Sequence, residues 1–160
     1  MGSRPSKENL AYIAGFLDGD GSLMLQVKKR SDIKRKWRIM VTICFYQDSR
    51  HEKYLYWIKK QFNIGYISKR NDGITEYRIN GFEKVYNILK KLKPYIKFKE
   101  NQVKSVLSAI DLIKSKDIVK YTKSDYISLI NLLLDVQNNN YKSSHKKTRK
   151  DIEKIFGLTP

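Results

Sequence analysis

The apolar pattern changes its period once near the N-terminus, and that change limits the folds open to this chain. Leu10, Ile13, Ala14 and Leu17 recur at helical spacing, and Ala11, Gly15 and Asp18 form a neighbouring stripe. Pro5-Ser6 opens this helix, with Ser6 as N-cap and Glu8 in the first turn, and Gly19 and Gly21 stop it. From Ser22 the period is two: Leu23, Leu25 and Val27 alternate with Ser22, Met24, Gln26 and Lys28. After a charged turn, KRSDIKRK, the alternation resumes. Ile39, Val41, Ile43 and Phe45 face one way, and Arg38, Met40, Thr42, Cys44 and Tyr46 face the other. This pattern predicts a long antiparallel hairpin with one face for a core and one left open.

The rest of the chain repeats the theme. QDSRHEKYLYWIKKQFNIG predicts a second helix, capped near Asp48 or Ser49, with Tyr54, Leu55, Ile58 and Phe62 inward. YISKRNDGITEYRIN predicts a second hairpin turned at Asp72-Gly73, with Ser68, Arg70, Glu76 and Arg78 on its polar face. Helices follow over 82–93, 101–115, 124–137 and 146–156. The expected fold is α+β, in the order αββαββα with extra C-terminal helices. Residues 1–137 are expected to form one domain. The basic stretch NNNYKSSHKKTRK and the last helix, within 138–160, would pack on it or extend it.

Thirty-three lysines and arginines face sixteen acids, a net charge of +17. Such an excess seeks polyanions, nucleic acid first among them. Cys44 is alone, so no disulfide forms within the chain, and with only His51 and His145 beside it an ordinary zinc finger is excluded. No apolar run approaches the ~20 residues of a membrane span; ISLINLLL reads as helix core. The opening MGSRPSKEN has no signal-peptide core, and MGS has the look of a cloning remnant. Abundant Lys, Ile, Asn and Tyr, whose codons are AT-rich, suggest an organellar genome; the alternative is a cytoplasmic, reducing setting.

Asp18 and Asp20 sit between glycines where a helix ends, at the pole that already carries about half a negative charge. A calcium loop does not explain them: with Gly21 as the loop's glycine, Phe16 would stand first and Val27 twelfth, where a glutamate is needed. The stretch IAGFLDGDG, residues 13–21, resembles the LAGLIDADG motif of the homing endonucleases, and LKPYIKFKENQ resembles the segment that carries that family's lysine. The likeness spans roughly residues 6–137, with a single motif, as in the group whose members act as homodimers. It implies a two-helix interface built on Ala11, Ala14, Gly15 and Asp18, where small side chains let backbones approach across a two-fold axis. Asp20 and the Gly19 carbonyl would hold Mg²⁺, with Mn²⁺ as a substitute, while Asp18 hydrogen-bonds backbone near the helix end. The resemblance also maps Gln47 and Lys99, or less directly Lys97, onto catalytic positions. His51, preceded by Arg50, stands where the family often has an arginine.

A two-stranded ribbon fits the major groove, and a strand of about ten residues runs about 33 Å, one turn of duplex. Gln26, Lys28, Arg30, Arg38, Arg70, Glu76 and Arg78 suit base edges; Ser22, Met24, Met40, Thr42, Cys44, Tyr46 and Ser68 complete the open faces. The reading is a Mg²⁺-dependent endonuclease, a homodimer that cuts both strands of a long pseudo-palindromic site and leaves 3′ overhangs. It needs no organic cofactor and no membrane. The rivals are an intron-RNA maturase or a non-cleaving DNA-binding regulator on the same fold. A general RNA-binding protein would explain the charge but not Asp20.

Overall fold

The computed structural model describes residues 5–140 and 145–159. The MGS triplet and the middle of the basic connector lie outside the described residues. Six helices and four strands follow in the order α1 (Lys7–Asp20), β1 (Gly21–Lys29), β2 (Trp37–Asp48), α2 (Lys53–Phe62), β3 (Tyr66–Lys69), β4 (Ile74–Asn80), α3 (Phe82–Leu92), α4 (Glu100–Ser115), α5 (Lys123–Asn138) and α6 (Arg149–Phe156). The strands form one sheet in the order β1-β2-β4-β3. By its internal contacts the chain divides into two compact units: Met1–Leu23 with Thr42–Glu100, and Met24–Val41 with Asn101–Pro160.

In the first unit the Ser6 hydroxyl accepts from the Asn9 amide at 3.2 Å, which starts α1 as the sequence predicts. The helix does not stop at Gly19. It runs to Asp20, and Gly21, at φ −90°, is already extended strand. Glycine is needed there for space and not for a left-handed turn: a Cβ would lie 2.5 Å from Leu17 Cδ1 and 2.8 Å from Leu17 Cα. Ile13, Ala14 and Leu17 are fully buried, as are Ile43, Phe45, Tyr77, Ile79 and Leu89. Phe16 meets Phe45, and Phe45 stacks on Tyr77, both at 5.8 Å between ring centres. The buried Tyr77 hydroxyl donates to the Ile64 carbonyl at 2.8 Å, so the large ring enters the core with its polar end satisfied.

The second predicted helix is in two parts. Asp48 accepts from the Arg50 amide at 2.9 Å and caps a 3₁₀ turn over Ser49–His51, before α2 begins at Lys53. Leu55 and Ile58 face inward, but Tyr54 is 53% exposed. The inward stripe of α2 therefore does not include it. The second hairpin turns through Asn71, Asp72 and Gly73, with Gly73 at φ +81°.

In the second unit α5 and α6 each begin with a reciprocal capping box, Thr122 with Asp125 and Thr148 with Asp151. The last helix starts at Arg149, three residues later than its periodicity suggests, where Thr148 and Asp151 close the capping box. Gln137 ties the preceding chain to α5, accepting from the Lys147 amide and donating to the Lys147 carbonyl, both at 2.8 Å. Phe156 then lies 4.6 Å from the Trp37 ring and 5.3 Å from Tyr126.

Candidate acidic centre and nucleic-acid interface

The two motif aspartates part company. Asp18 is buried, and its carboxylate gathers three consecutive backbone amides ahead of α4: Lys97 at 2.6 Å, Phe98 at 3.2 Å and Lys99 at 3.0 Å. The Lys99 ammonium returns the contact by donating to the Asp18 carbonyl at 2.6 Å. Asp18 thus bonds the turn before α4, some eighty residues along the chain. Asp20, two residues further on, is exposed at the carbonyl end of α1. Burial lowers the Lys99 ammonium pKa, against the opposing pull of Asp18 and Asp20. Of the two lysines in KFK, Lys99 is the one beside Asp20; Lys97 is exposed.

The remaining sequence-assigned catalytic positions gather at the end of β2. Gln47 is half-buried on the same strand face as Phe45, opposite Thr75, and accepts from the Asp48 amide at 2.9 Å. Arg50 grips Asp48 with two nitrogens at 3.0 and 2.8 Å, and the guanidinium holds that carboxyl well below the usual range. Its charge is therefore already answered. His51 is exposed on the 3₁₀ turn.

On the outer side of α1, Ala11, Gly15 and Gly19 are exposed at intervals of four, one straight stripe on a helix. A Cβ added at Gly15 or Gly19 would meet nothing within 4 Å, so nothing in this chain requires glycine at either position. Ala14 and Asp18 are not part of that surface. Ala14 belongs to the buried stripe with Ile13 and Leu17, and Asp18 is spent on the backbone before α4.

The strand faces alternate as predicted, but several open-face residues are covered. In the first unit the register sets Thr42 opposite Asn80, Cys44 opposite Arg78 and Tyr46 opposite Glu76, and on the other side of β4 Tyr66 pairs with Arg78 and Ser68 with Glu76. Cys44 is fully buried under this face, and burial pushes its thiol up to about 11, so it cannot touch a base. Thr42 is buried and donates to Asn80 Oδ1 at 2.7 Å. Tyr46 is half-buried, and desolvation raises its hydroxyl to about 12. Glu76 is also buried, between Arg70 and Arg78, and does not offer an acceptor outward. Asn80 and Tyr66, joined at 3.3 Å, share the face and were not singled out from sequence. Period two continued from Arg78 and Ser68 reaches both.

In the second unit Gln26 and Lys28 are exposed on β1, and Ser22 on the first unit's part of that strand is half-buried with Met24 beyond it. Arg38 and Met40 are half-buried on β2, and Arg38 Nε is buried without a hydrogen-bond partner. Arg30 instead turns to Asp32, Nε to Oδ1 at 2.7 Å, and its hydrogen bond pulls that carboxyl to about 2. Arg30 is thus committed within the hairpin turn.

Among the described residues no group of three or more His, Cys, Asp or Glu side chains could hold a metal ion. One chain offers the exposed Asp20 carboxylate and the carbonyl pole of α1. These hard oxygen donors fit Mg²⁺, an ion that keeps several waters and takes few protein ligands. Among the described residues, too, no helix is long and apolar enough to cross a membrane.

Residues 13–111 match the LAGLIDADG endonuclease family. The DNA endonuclease I-CreI of Chlamydomonas reinhardtii is 30% identical over 115 residues, 72% of this chain and 70% of that protein. The DNA endonuclease I-CvuI of Chlorella vulgaris is 35% identical over 100 residues, 62% of each. A crystal structure of the homing endonuclease I-CvuI in complex with the I-CreI target in the presence of Mg superposes with a TM-score of 0.79 at 25% identity, covering 95% of this chain and 94% of that one. A second I-CvuI complex, with its own target, was solved in the presence of Ca. The archaeal intron-encoded homing endonuclease I-Vdi141I, complexed with DNA, shares the fold at a TM-score of 0.77 and 19% identity. With the motif, the sheet and the family match in agreement, this chain is a member of the LAGLIDADG endonuclease family.

Proposed function

We propose that the protein is a site-specific endonuclease that hydrolyses both strands of double-stranded DNA. The observation that carries the reading is the exposed Asp20 at the end of α1, with Lys99 held beside it through Asp18. The protein acts as a homodimer whose α1 helices meet along Ala11, Gly15 and Gly19, which brings two copies of Asp20 together. The target is long and pseudo-palindromic, because a two-fold protein reads two half-sites. Cleavage leaves 3′ overhangs, and an organellar setting agrees with the algal relatives.

Asp20 and the Gly19 carbonyl hold the cation, Mg²⁺ or in its place Mn²⁺. When bound, such an ion polarises phosphate oxygens and supplies an activated water at neutral pH. Asp20, exposed at the end of α1, would offset the charge of such an ion and help to hold it there. Lys99, aimed by its bond to the Asp18 carbonyl, offers a positive charge to the phosphate as negative charge builds on it. Gln47 orders water at the end of β2. The open strand faces read base edges, and the surplus of basic side chains grips phosphates without regard to sequence.

The test is cleavage of a randomised duplex library with Mg²⁺ and with EDTA, followed by sequencing of the ends. Metal-dependent breaks at one pseudo-palindromic sequence are expected. Sequences bound but never cut would point instead to a DNA-binding regulator or an intron-RNA maturase.

A further inference from the structure

Glu76 and Arg78 on β4, with Arg70 in the turn before it, make a unit whose division of labour the endonuclease reading leaves open. Glu76 lies on β4 with 8% of its side chain exposed, between two guanidiniums. Its Oε2 accepts from Arg78 Nε at 2.7 Å, and its Oε1 from Arg70 Nη1 at 3.2 Å. Arg70 has a second acid, Asp72, which takes its Nη2 at 2.5 Å. The two arginines are therefore held differently. Both terminal nitrogens of Arg70 are engaged by carboxylates. Arg78 is held to Glu76 through Nε, the inner nitrogen, and 33% of its side chain stays exposed.

We infer that Glu76 is a positioning residue that aims Arg78 at a guanine, with Arg70 serving to hold Glu76 in place. This inference rests on the proposed sequence-specific binding of DNA. A guanidinium reads guanine through two parallel N–H bonds to O6 and N7, and that pairing works only when the fork is presented at a fixed angle. A free arginine on a strand loses several rotamers to reach that geometry; one anchored at Nε has already lost them. The floor beneath the fork is fixed too. Cys44 is fully buried opposite Arg78 in the β2–β4 register, and Tyr46 stands opposite Glu76. A carboxylate buried between two guanidiniums reads no base itself, since its acceptor oxygens face inward to its partners. Glu76 sets specificity through Arg78.

The test compares wild type, E76Q, R78A and the double variant in selection from a randomised duplex library, scored base by base. E76Q nearly conserves shape and removes the charge. It is expected to lower guanine preference about tenfold at one position of each half-site, with the other positions unchanged. R78A is expected to relax the same position, and E76Q added to R78A should change nothing more. E76Q should also steepen the dependence of binding on salt, because one acid per chain has been removed from the DNA face. Loss of a merely structural acid would lower the melting temperature without selecting one base position. An unchanged base profile in R78A overturns the inference, even if E76Q folds poorly. So does a cytosine preference that E76Q abolishes in the R78A background, since Glu76 would then touch the base directly. A wild-type protein that selects no sequence at all would sink the endonuclease reading, and this inference with it.

Discussion

Asp18 and Asp20 are two residues apart and chemically alike, yet their surroundings give them different work. A carboxylate that accepts three amides is a folding device. Asp18→Asn keeps the shape but loses the charge in those bonds, and a hydrogen bond to a charged group contributes about 1.5–3 kcal/mol. Loss of about 2–3 kcal/mol of stability is expected in a urea titration. Cleavage should fall further than unfolding explains, because Lys99 takes its position from the same turn. Asp20 is the opposite case. It is exposed, so Asp20→Asn should leave the melting temperature within a degree or two of wild type. Catalysis should drop by about a thousandfold or more, some 4 kcal/mol of transition-state stabilisation, while specific DNA binding survives. Retained cutting in gel assays of this variant would remove Asp20 from the mechanism.

Among the elements, α5 and α6 show how much of the second unit depends on helix starts. At the N-terminus of α5, Asp125 is half-buried, and hydrogen bonds from Lys116 and then Thr122 pull its carboxyl to about 2 from an ordinary 3.8. A carboxyl lowered in the folded state favours folding fully above its unfolded pKa and loses that contribution as pH falls through its folded one. The contribution of this cap is therefore complete above about pH 4 and disappears toward pH 2. Helical circular dichroism followed over that window should lose amplitude in wild type, and Asp125→Asn should flatten the part due to α5. The eight-residue α6 is too short to stand alone and depends on Ile152 and Phe156 being buried. Phe156→Ala should cost about 3 kcal/mol and expose the indole that it covers. Red-shifted Trp37 emission, read in a Trp57→Phe background, is the check.

These elements also mark what the sequence could reveal. The two periods, 3.6 and 2, carried the order of helices and strands, and Ser6, Asp48 and the Asp72-Gly73 turn lay close to where local chemistry put them. Local signals did not say that the second helix breaks after a 3₁₀ turn, or that α1 continues through Gly19. The site was legible where it depends on one residue type at one place, as with Asp20. It was not where a neighbour on another strand decides. Cys44 and Thr42 have the alternation of open-face residues, but Arg78 and Asn80 across the ladder cover or occupy them, and Glu76 is taken up by Arg78 on its own strand and by Arg70 from the turn. Ala14 shows the same limit on a helix, since small size alone does not tell which side it faces.

At the scale of the whole molecule, a net charge of +17 and a single exposed carboxylate at the proposed centre impose opposite demands. The charge gathers DNA at any sequence, and binding should weaken steeply between low and physiological salt. The proposed centre, by contrast, rests on acid, and one chain brings to it the single exposed carboxylate of Asp20. A second copy would add its own Asp20 if two α1 helices could touch closely enough. Gly15 is the place to test it, because a Cβ there meets nothing within 4 Å in its own chain. Gly15→Val should therefore change the chain's stability by less than about 1 kcal/mol, valine and glycine differing little in helix propensity. Across a two-fold contact the branched side chain would meet its own copy twice and hold the helices apart. Light scattering should then report one 18.9 kDa chain where wild type reports two, and cleavage should vanish with the dimer. A wild-type monomer, or a Gly15→Val dimer of unchanged mass, would place the contact elsewhere. The glycine stripe would then have no assigned role.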